Sequence, residues 1–305
     1  MRVYVPMSQI DARAVARRHV TAATWREYFL WLAVGIACAA CGGASTRSSG
    51  VARSDARASA HAARAAEPAD RTSSQTPERE SGATPRQPEI SGKPAVSVLP
   101  VPGFESAILV VPERSQTRPL LVATHGAGGA PEWECERWSR VAKGRWILLC
   151  PRGVPLRRGE EGSYFYPDHH ALEREVTAGV KAARAALGTR VTAGGGVYVG
   201  YSQGATMGAL MLVDHGAEFA HLLLIEGGSA DWTSTRAARF HATGGKSVFI
   251  VCGTTPCAER ATRAKPVLER AGLRAEVRAV PDGGHTELGP VGNEAEKLLE
   301  SLATL

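Results

Sequence analysis

Ser202 sits between two glycines, in Gly200-Tyr201-Ser202-Gln203-Gly204. An apolar β-type run (196–199) leads into it and a helix-forming run (205–213) leads out. This is the G-x-S-x-G pattern of a nucleophile elbow. A serine in a tight strand-to-helix turn needs neighbours without bulk two residues before and after, and Gly200 and Gly204 meet that need. The turn lifts the hydroxyl clear, and the helix behind offers unpaired N–H groups to a developing oxyanion. Two other stretches carry matching chemistry. His285 lies on a glycine-rich loop, Pro281-Asp282-Gly283-Gly284-His285-Thr286, 83 residues after the serine, where a general base can be placed. His125-Gly126-Ala127-Gly128-Gly129 follows an apolar run, and its glycines allow a backbone N–H to approach a ligand closely.

These loops need a frame that brings them together. From about residue 95, apolar β-type runs at 107–111, 119–124, 145–150, 196–200, 221–226, 247–252 and 275–280 alternate with candidate helices. The helices are expected at 131–143, 168–187, 203–215, 258–271 and 292–303. Asp168 is an N-cap for the second, and Gly144, Gly188, Gly216 and Gly272 sit where C-caps belong. Near-continuous apolar strands alternating with helices predict a doubly wound, mostly parallel α/β sheet covered on both faces. Ligands bind at the C-terminal strand ends of such sheets, and all three motifs fall there. No internal repeat is visible.

With these motifs in this order, residues 95–305 resemble an α/β-hydrolase in its minimal form. The resemblance is to small esterases of the phospholipase/carboxylesterase, dienelactone hydrolase and polyhydroxybutyrate depolymerase groups. It implies Ser202 as nucleophile, His285 as base, and the N–H groups of Gln203 and Ala127 as oxyanion donors, with a structural role for His125. It also implies an acid after strand 247–252, but the loop 253–258 holds no Asp or Glu. Glu226, at the end of the preceding strand, is the expected substitute. Glu259 lies in a helix's first turn, where an acid has an ordinary reason to be. Asp231 is a third candidate, and Asp282 is more simply a turn former.

Other residues have plainer readings. His169 and His170 at a helix start read as surface residues, and neither a metal nor a cofactor is expected. Tyr164-Phe165-Tyr166 is expected to pack or to line the pocket. The connection 227–246 has only Trp232 and Phe240 as large apolar side chains, too few for a lipid-facing lid over its expected helix, 233–242.

The first third of the chain differs in texture. Residues 28–40 form an apolar run of signal-peptide length, with Arg17, Arg18 and Arg26 before it and Cys41-Gly42-Gly43 after it. This resembles a bacterial lipoprotein signal, with Cys41 as the lipidated residue and Cys38 or plain cleavage as alternatives. Residues 42–94 are poor in large apolar side chains and read as a disordered tether. Nearly all of the formal net charge of +6 belongs to these segments, since residues 95–305 hold 23 basic and 22 acidic residues. No nucleic-acid footprint remains. Membrane contact is expected only through a lipid anchor.

Four cysteines lie in the globular part. An even count behind an export signal points to disulfides, and four cysteines allow three pairings. A local Cys252–Cys257 bridge is the first expectation, which leaves Cys135 with Cys150. The sequence therefore predicts an exported serine hydrolase acting on a carboxylic ester. The alternatives are a depolymerase, a peptidase, or a non-catalytic binding protein of the same fold.

Overall fold

The computed structural model describes residues 94–112, 116–159 and 161–302. The expected leader, Cys38, Cys41 and the tether up to residue 93 lie outside the described residues.

Eight strands form one sheet: β1 (Ala95–Leu99), β2 (Ala107–Val111), β3 (Leu120–Thr124), β4 (Ile147–Cys150), β7 (Gly196–Tyr201), β8 (Phe219–Ile225), β9 (Ser247–Cys252) and β10 (Arg274–Ala279). Their spatial order is β1-β2-β4-β3-β7-β8-β9-β10. Strands β4, β3, β7, β8, β9 and β10 pair in parallel, while β2 runs antiparallel to both β1 and β4. A separate two-stranded ribbon pairs β5 (Val154–Pro155) with β6 (Tyr164–Phe165).

The central strands are apolar throughout because both faces are covered. One face packs on α1 (Pro131–Ala142) and α6 (Gly289–Leu302). There Trp138, Val141, Val291, Leu298 and Leu299 meet Leu121, Val199, Leu223 and Phe249. On the other face lie α2 (His169–Leu187), α3 (Gln203–Met211), α4 (Ser234–Ala242) and α5 (Thr255–Arg270). Their Leu172, Val176, Ala205, Phe240 and Leu268 meet Val122, Leu222, Val248 and Ile250. Burying both faces of five such strands is the main apolar stabilisation of the fold. Edge strand β10 instead alternates charges (Arg274, Glu276, Arg278), which suits a half-exposed strand and discourages edge pairing.

Local signals account for most boundaries. The Asp168 carboxylate accepts the Ala171 N–H at 2.8 Å and caps α2, and Gly188 ends it at φ 57°. Three expectations need correction. Helix α3 is shorter than 203–215, because its last turn tightens into a 3₁₀ turn, Leu212–Asp214. Gly216 is therefore not a helix cap; a Cβ there would meet the Gly245 nitrogen at 2.3 Å. Helices α5 and α6 each start three residues early, at Thr255 and Gly289. Proline at the second helical position suits the start of α5, since no intrahelical donor is lost there. Strand β1, unforeseen, is an edge strand with Val98 63% exposed, and its alternation is too short to stand out.

Both expected cysteine pairs are bridged. Cys135–Cys150 ties α1 to the end of β4 with Cα atoms 5.9 Å apart. Cys252–Cys257 ties the end of β9 to the first turn of α5 across 5.4 Å.

Candidate active site

Ser202 occupies the turn from β7 into α3 with φ 49° and ψ −106°, in the region that costs a non-glycine residue strain. Its neighbours show why both glycines are required. A Cβ at Gly200 would lie 2.7 Å from the Ala205 nitrogen, and one at Gly204 would lie 2.5 Å from the Thr124 hydroxyl. The elbow is braced from beneath. Thr124 Oγ1 donates to the Tyr198 hydroxyl at 2.7 Å, which donates to the Gly204 carbonyl at 2.8 Å.

Ser202 Oγ lies 2.8 Å from His285 Nε2, and His285 Nδ1 lies 2.9 Å from Glu226 Oε2. Glu226 directly follows β8 and has φ 51°. Its side chain is 1% exposed against 54% for His285, so the charge is buried and the imidazole faces solvent. Burial would raise the Glu226 carboxyl. Hydrogen bonds from His285, the Thr254 and Gly253 N–H groups and the Thr254 hydroxyl outweigh it and hold the carboxyl below its usual value. The Thr254 N–H reaches Oε1 at 2.8 Å, Gly253 N–H reaches the same oxygen, and the Thr254 hydroxyl reaches Oε2 at 3.0 Å. Tyr201 Oη donates to the His285 carbonyl at 2.9 Å, and the two rings lie 5.6 Å apart.

Glu259, Asp231 and Asp282 lie elsewhere. Glu259 is exposed on α5 but, because the helix begins at Thr255, it lies past the first turn where it was expected. Asp231 follows β8 by several residues, and its backbone carbonyl accepts from the Arg236 guanidinium. Asp282 sits at φ 56° in the turn before His285. Among the described residues, no hydrogen bond joins any of these three to His285.

The loop after β3 packs directly on the elbow. A Cβ on Gly126 would meet Ser202 Cβ at 3.2 Å and Tyr201 Cδ1 at 2.9 Å, so only glycine fits there without a shift. Ala127 follows this contact directly in the chain. The Gly128 N–H donates to Tyr164 O and the Gly129 N–H to Gly126 O, whereas the Ala127 N–H donates to no backbone carbonyl among the described residues. Gln203 is the first residue of α3, so its N–H has no intrahelical acceptor. Among the described residues, neither N–H has a hydrogen-bond acceptor.

His125 is 1% exposed, with Nε2 2.9 Å from Arg152 O and Nδ1 2.8 Å from Gly126 O. Burial pushes its imidazole below the usual value, which suits a structural residue. The Tyr164-Phe165-Tyr166 cluster is chiefly a brace. Tyr164 pairs with Gly129 through β-type hydrogen bonds, buried Tyr166 stacks on His125 at 4.7 Å, and the Tyr166 N–H holds Gln203 Oε1 at 2.9 Å. Phe165 alone is left half-exposed. His169 and His170 stack on each other at 3.9 Å, with His170 exposed. Among the described residues, the only trio of metal-type side chains is Glu226, Cys252 and Cys257, and both of its sulfurs are in the disulfide.

Thr254, Tyr201 and Tyr198 are parts of this site that the motifs did not announce. Thr254 carried one signal: it lies in the strand-end loop where an acid was expected and missing.

No protein-family model and no curated protein matches the sequence. Solved structures do resemble the fold. A dienelactone hydrolase-like promiscuous phosphotriesterase from metagenomic libraries superposes with a TM-score of 0.56 at 16% identity, over 70% of this chain and 98% of that one. Esterase PE8 gives 0.52 at 16% identity, over 68% of this chain and all of the other. A dienelactone hydrolase of Anabaena variabilis gives 0.51 at 13% identity, over 68% and 95%. The parallel sheet, its flanking helices and these likenesses agree: the chain has the α/β-hydrolase fold, in a minimal form.

Proposed function

We propose that the protein is a serine hydrolase that cleaves a carboxylic ester through an acyl-enzyme. The carrying observation is the hydrogen-bonded chain from Ser202 Oγ through His285 to buried Glu226, at 2.8 and 2.9 Å, on a serine at φ 49°. Nucleophile, base and orienting acid in this relation are the general arrangement of nucleophilic acyl transfer.

In this reading, Ser202 Oγ attacks the ester carbonyl while His285 Nε2 takes its proton. The carbonyl oxygen becomes an oxyanion held by the Gln203 and Ala127 N–H groups. Glu226 fixes the His285 tautomer with Nδ1 protonated and stabilises the imidazolium. His285 then gives the proton to the leaving alkoxide as the C–O bond breaks. Water, deprotonated by His285, attacks the acyl-enzyme, and the proton returns to Ser202 as the acid leaves.

The site is open. Trp232 and Phe240, the large apolar residues of the connection after β8, are 6% and 0% exposed and pack into the core, so they offer no lid face. A soluble short-chain ester or an accessible polymer chain suits such a site. The two disulfides fit an oxidising compartment, and together with the leader expected from the sequence they support export.

Labelling with a fluorophosphonate probe tests the reading, because it needs an activated serine and no knowledge of substrate. Labelling of the wild type that vanishes in Ser202→Ala supports it. A wild type that takes up no probe overturns it in favour of a non-catalytic protein of this fold.

A further inference from the structure

We propose that Thr254 is a positioning residue for Glu226, and that the Cys252–Cys257 disulfide clamps the loop that presents it. The inference rests on the serine-hydrolase reading above.

Thr254 is the N-cap residue of α5, and threonine there ordinarily turns its hydroxyl onto the helix's own first N–H groups. Here it makes no such cap. Its hydroxyl donates instead to Glu226 Oε2 at 3.0 Å, the same oxygen that faces His285 Nδ1 at 2.9 Å. The other oxygen, Oε1, accepts the Gly253 and Thr254 N–H groups. Two consecutive residues therefore fix both carboxylate oxygens of a long side chain whose rotamers would otherwise be free. The carboxylate also lies at the N-terminus of a 16-residue helix, where negative charge is favoured.

The same loop holds the base. The Gly253 carbonyl accepts the Gly284 N–H at 3.0 Å, one residue before His285, and the Cys252 carbonyl accepts the Val280 N–H at 2.7 Å. Packing there is tight, since a Cβ on Gly253 would lie 2.3 Å from Gly284 O. Cys252 ends β9 and Cys257 lies in the first turn of α5, so the bridge brackets Gly253 and Thr254 and nothing larger than a short turn. Both cysteines are at most 2% exposed, which marks a structural clamp and not a reagent-accessible thiol pair. In this reading the loop after β9, acid-free, supplies the donors that hold the glutamate just past the end of neighbouring strand β8.

Four variants test this: Thr254→Val, Thr254→Ser, Cys252→Ala/Cys257→Ala, and Cys135→Ala/Cys150→Ala as the comparison pair. Activity is measured on a p-nitrophenyl ester, well below each variant's unfolding temperature. Thr254→Val is isosteric and is expected to lower kcat about 10-fold with KM unchanged, the effect of losing one hydrogen bond to a charged group. It is also expected to move the acid limb of kcat/KM to higher pH, and Thr254→Ser restores both. The Cys252/Cys257 pair is expected to lose kcat comparably, while the Cys135/Cys150 pair loses thermal stability alone. A Thr254→Val enzyme within twofold of wild type, or a Cys252/Cys257 variant that loses only stability, overturns the inference. A wild type that takes up no fluorophosphonate overturns both readings; a labelled wild type with an equally fast Thr254→Val variant overturns this one alone.

Discussion

The Ser202 N–H donates to the Ile225 carbonyl at 2.8 Å, and Ile225 is the residue before Glu226. One backbone hydrogen bond between the ends of β7 and β8 therefore sets the distance from Ser202 to Glu226. The next bond in the series, Glu226 N–H to Val251 O at 2.9 Å, ties Glu226 to β9 in turn. With this spacing fixed by the sheet, the glutamate spans the remaining gap to an imidazole that arrives on the loop after β10.

Glu226→Gln is expected to lower kcat by roughly 10³–10⁴-fold, because a neutral amide neither fixes the His285 tautomer nor stabilises the imidazolium. Glu259→Gln is expected to act like wild type, since Glu259 is exposed and makes no hydrogen bond to His285 among the described residues. Steady-state kinetics of the two variants side by side decides the matter. A damaging Glu259→Gln would return the acid to the strand where the sequence first led one to expect it.

Ser202→Ala is expected to lower ester hydrolysis by about 10⁴-fold or more and to abolish probe labelling, with the fold unchanged by circular dichroism. Its stability should stay near that of wild type, because alanine keeps the strained φ of 49° and loses only the hydroxyl. Ser202→Gly should unfold at a higher temperature than Ser202→Ala, since glycine adopts that φ freely. Equal melting temperatures would show that the elbow holds no strain.

How much of this was legible in the sequence follows from the range of the forces involved. The elbow, the Gly126 loop and the histidine loop are written in glycines, whose requirement is steric and local. The central strands are written as apolar runs because both faces are buried. Glu226 could be ranked above Glu259 by its strand-end place, but its partners could not be named. Thr254 lies 28 positions away along the chain and reaches Glu226 only because β8 and β9 are neighbours in the sheet. The Tyr164-Phe165-Tyr166 cluster shows the same limit. Its composition left packing and a pocket wall both open, and its pairing with Gly128 and Gly129 makes it chiefly a support of the loop after β3. Sequence patterns report which face a residue occupies, not which distant loop it meets.

An acidic pair, Glu134 on α1 and Glu287 two residues past His285, is expected to make stability pH-dependent. Glu134, 3% exposed, accepts the Trp138 indole N–H at 2.9 Å, and Arg137 pairs with Glu287 at 3.0 Å. Burial, then the nearby Glu287, hold the Glu134 carboxyl well above its ordinary value of 4.5, against the weaker pull of Arg137 and Trp138. The folded protein thus keeps a proton that the unfolded chain releases. Stability from this group is present at low pH and falls as pH rises from the ordinary carboxyl range to the raised folded value. Glu134→Gln keeps an acceptor for Trp138 and a donor for Glu287 without the ionisable group. It is expected to raise the melting temperature at pH 8 by a few degrees, at about 2–4 °C per kcal/mol, and to change it little near pH 4. Thermal unfolding across that range checks it. A variant less stable at every pH would mean that Glu134 is ionised and paired with Arg137.

The last prediction concerns substrate size and the absence of interfacial activation. A lid that shields a lipid-binding surface presents an apolar face that must be covered in water and exposed at an interface. The connection after β8 has no such face. Its helix, α4, turns Ala237 and Phe240 inward to 0% exposure, and Trp232 packs on Phe240 with ring centroids 5.9 Å apart. Thr233 caps the helix by accepting the Arg236 N–H at 3.2 Å, which further fixes it in place. Opening it would expose the core, so it cannot serve as a mobile cover at modest cost. His285 meanwhile stands 54% exposed, so its imidazole is open to solvent without any rearrangement. A p-nitrophenyl ester series from about two to sixteen carbons, assayed below and above each solubility limit, is expected to favour short chains. The rate should follow the dissolved concentration with no jump at the interface. Preference for the longest chains together with a jump above the solubility limit would require a lid that Trp232 and Phe240 are too deeply packed to form.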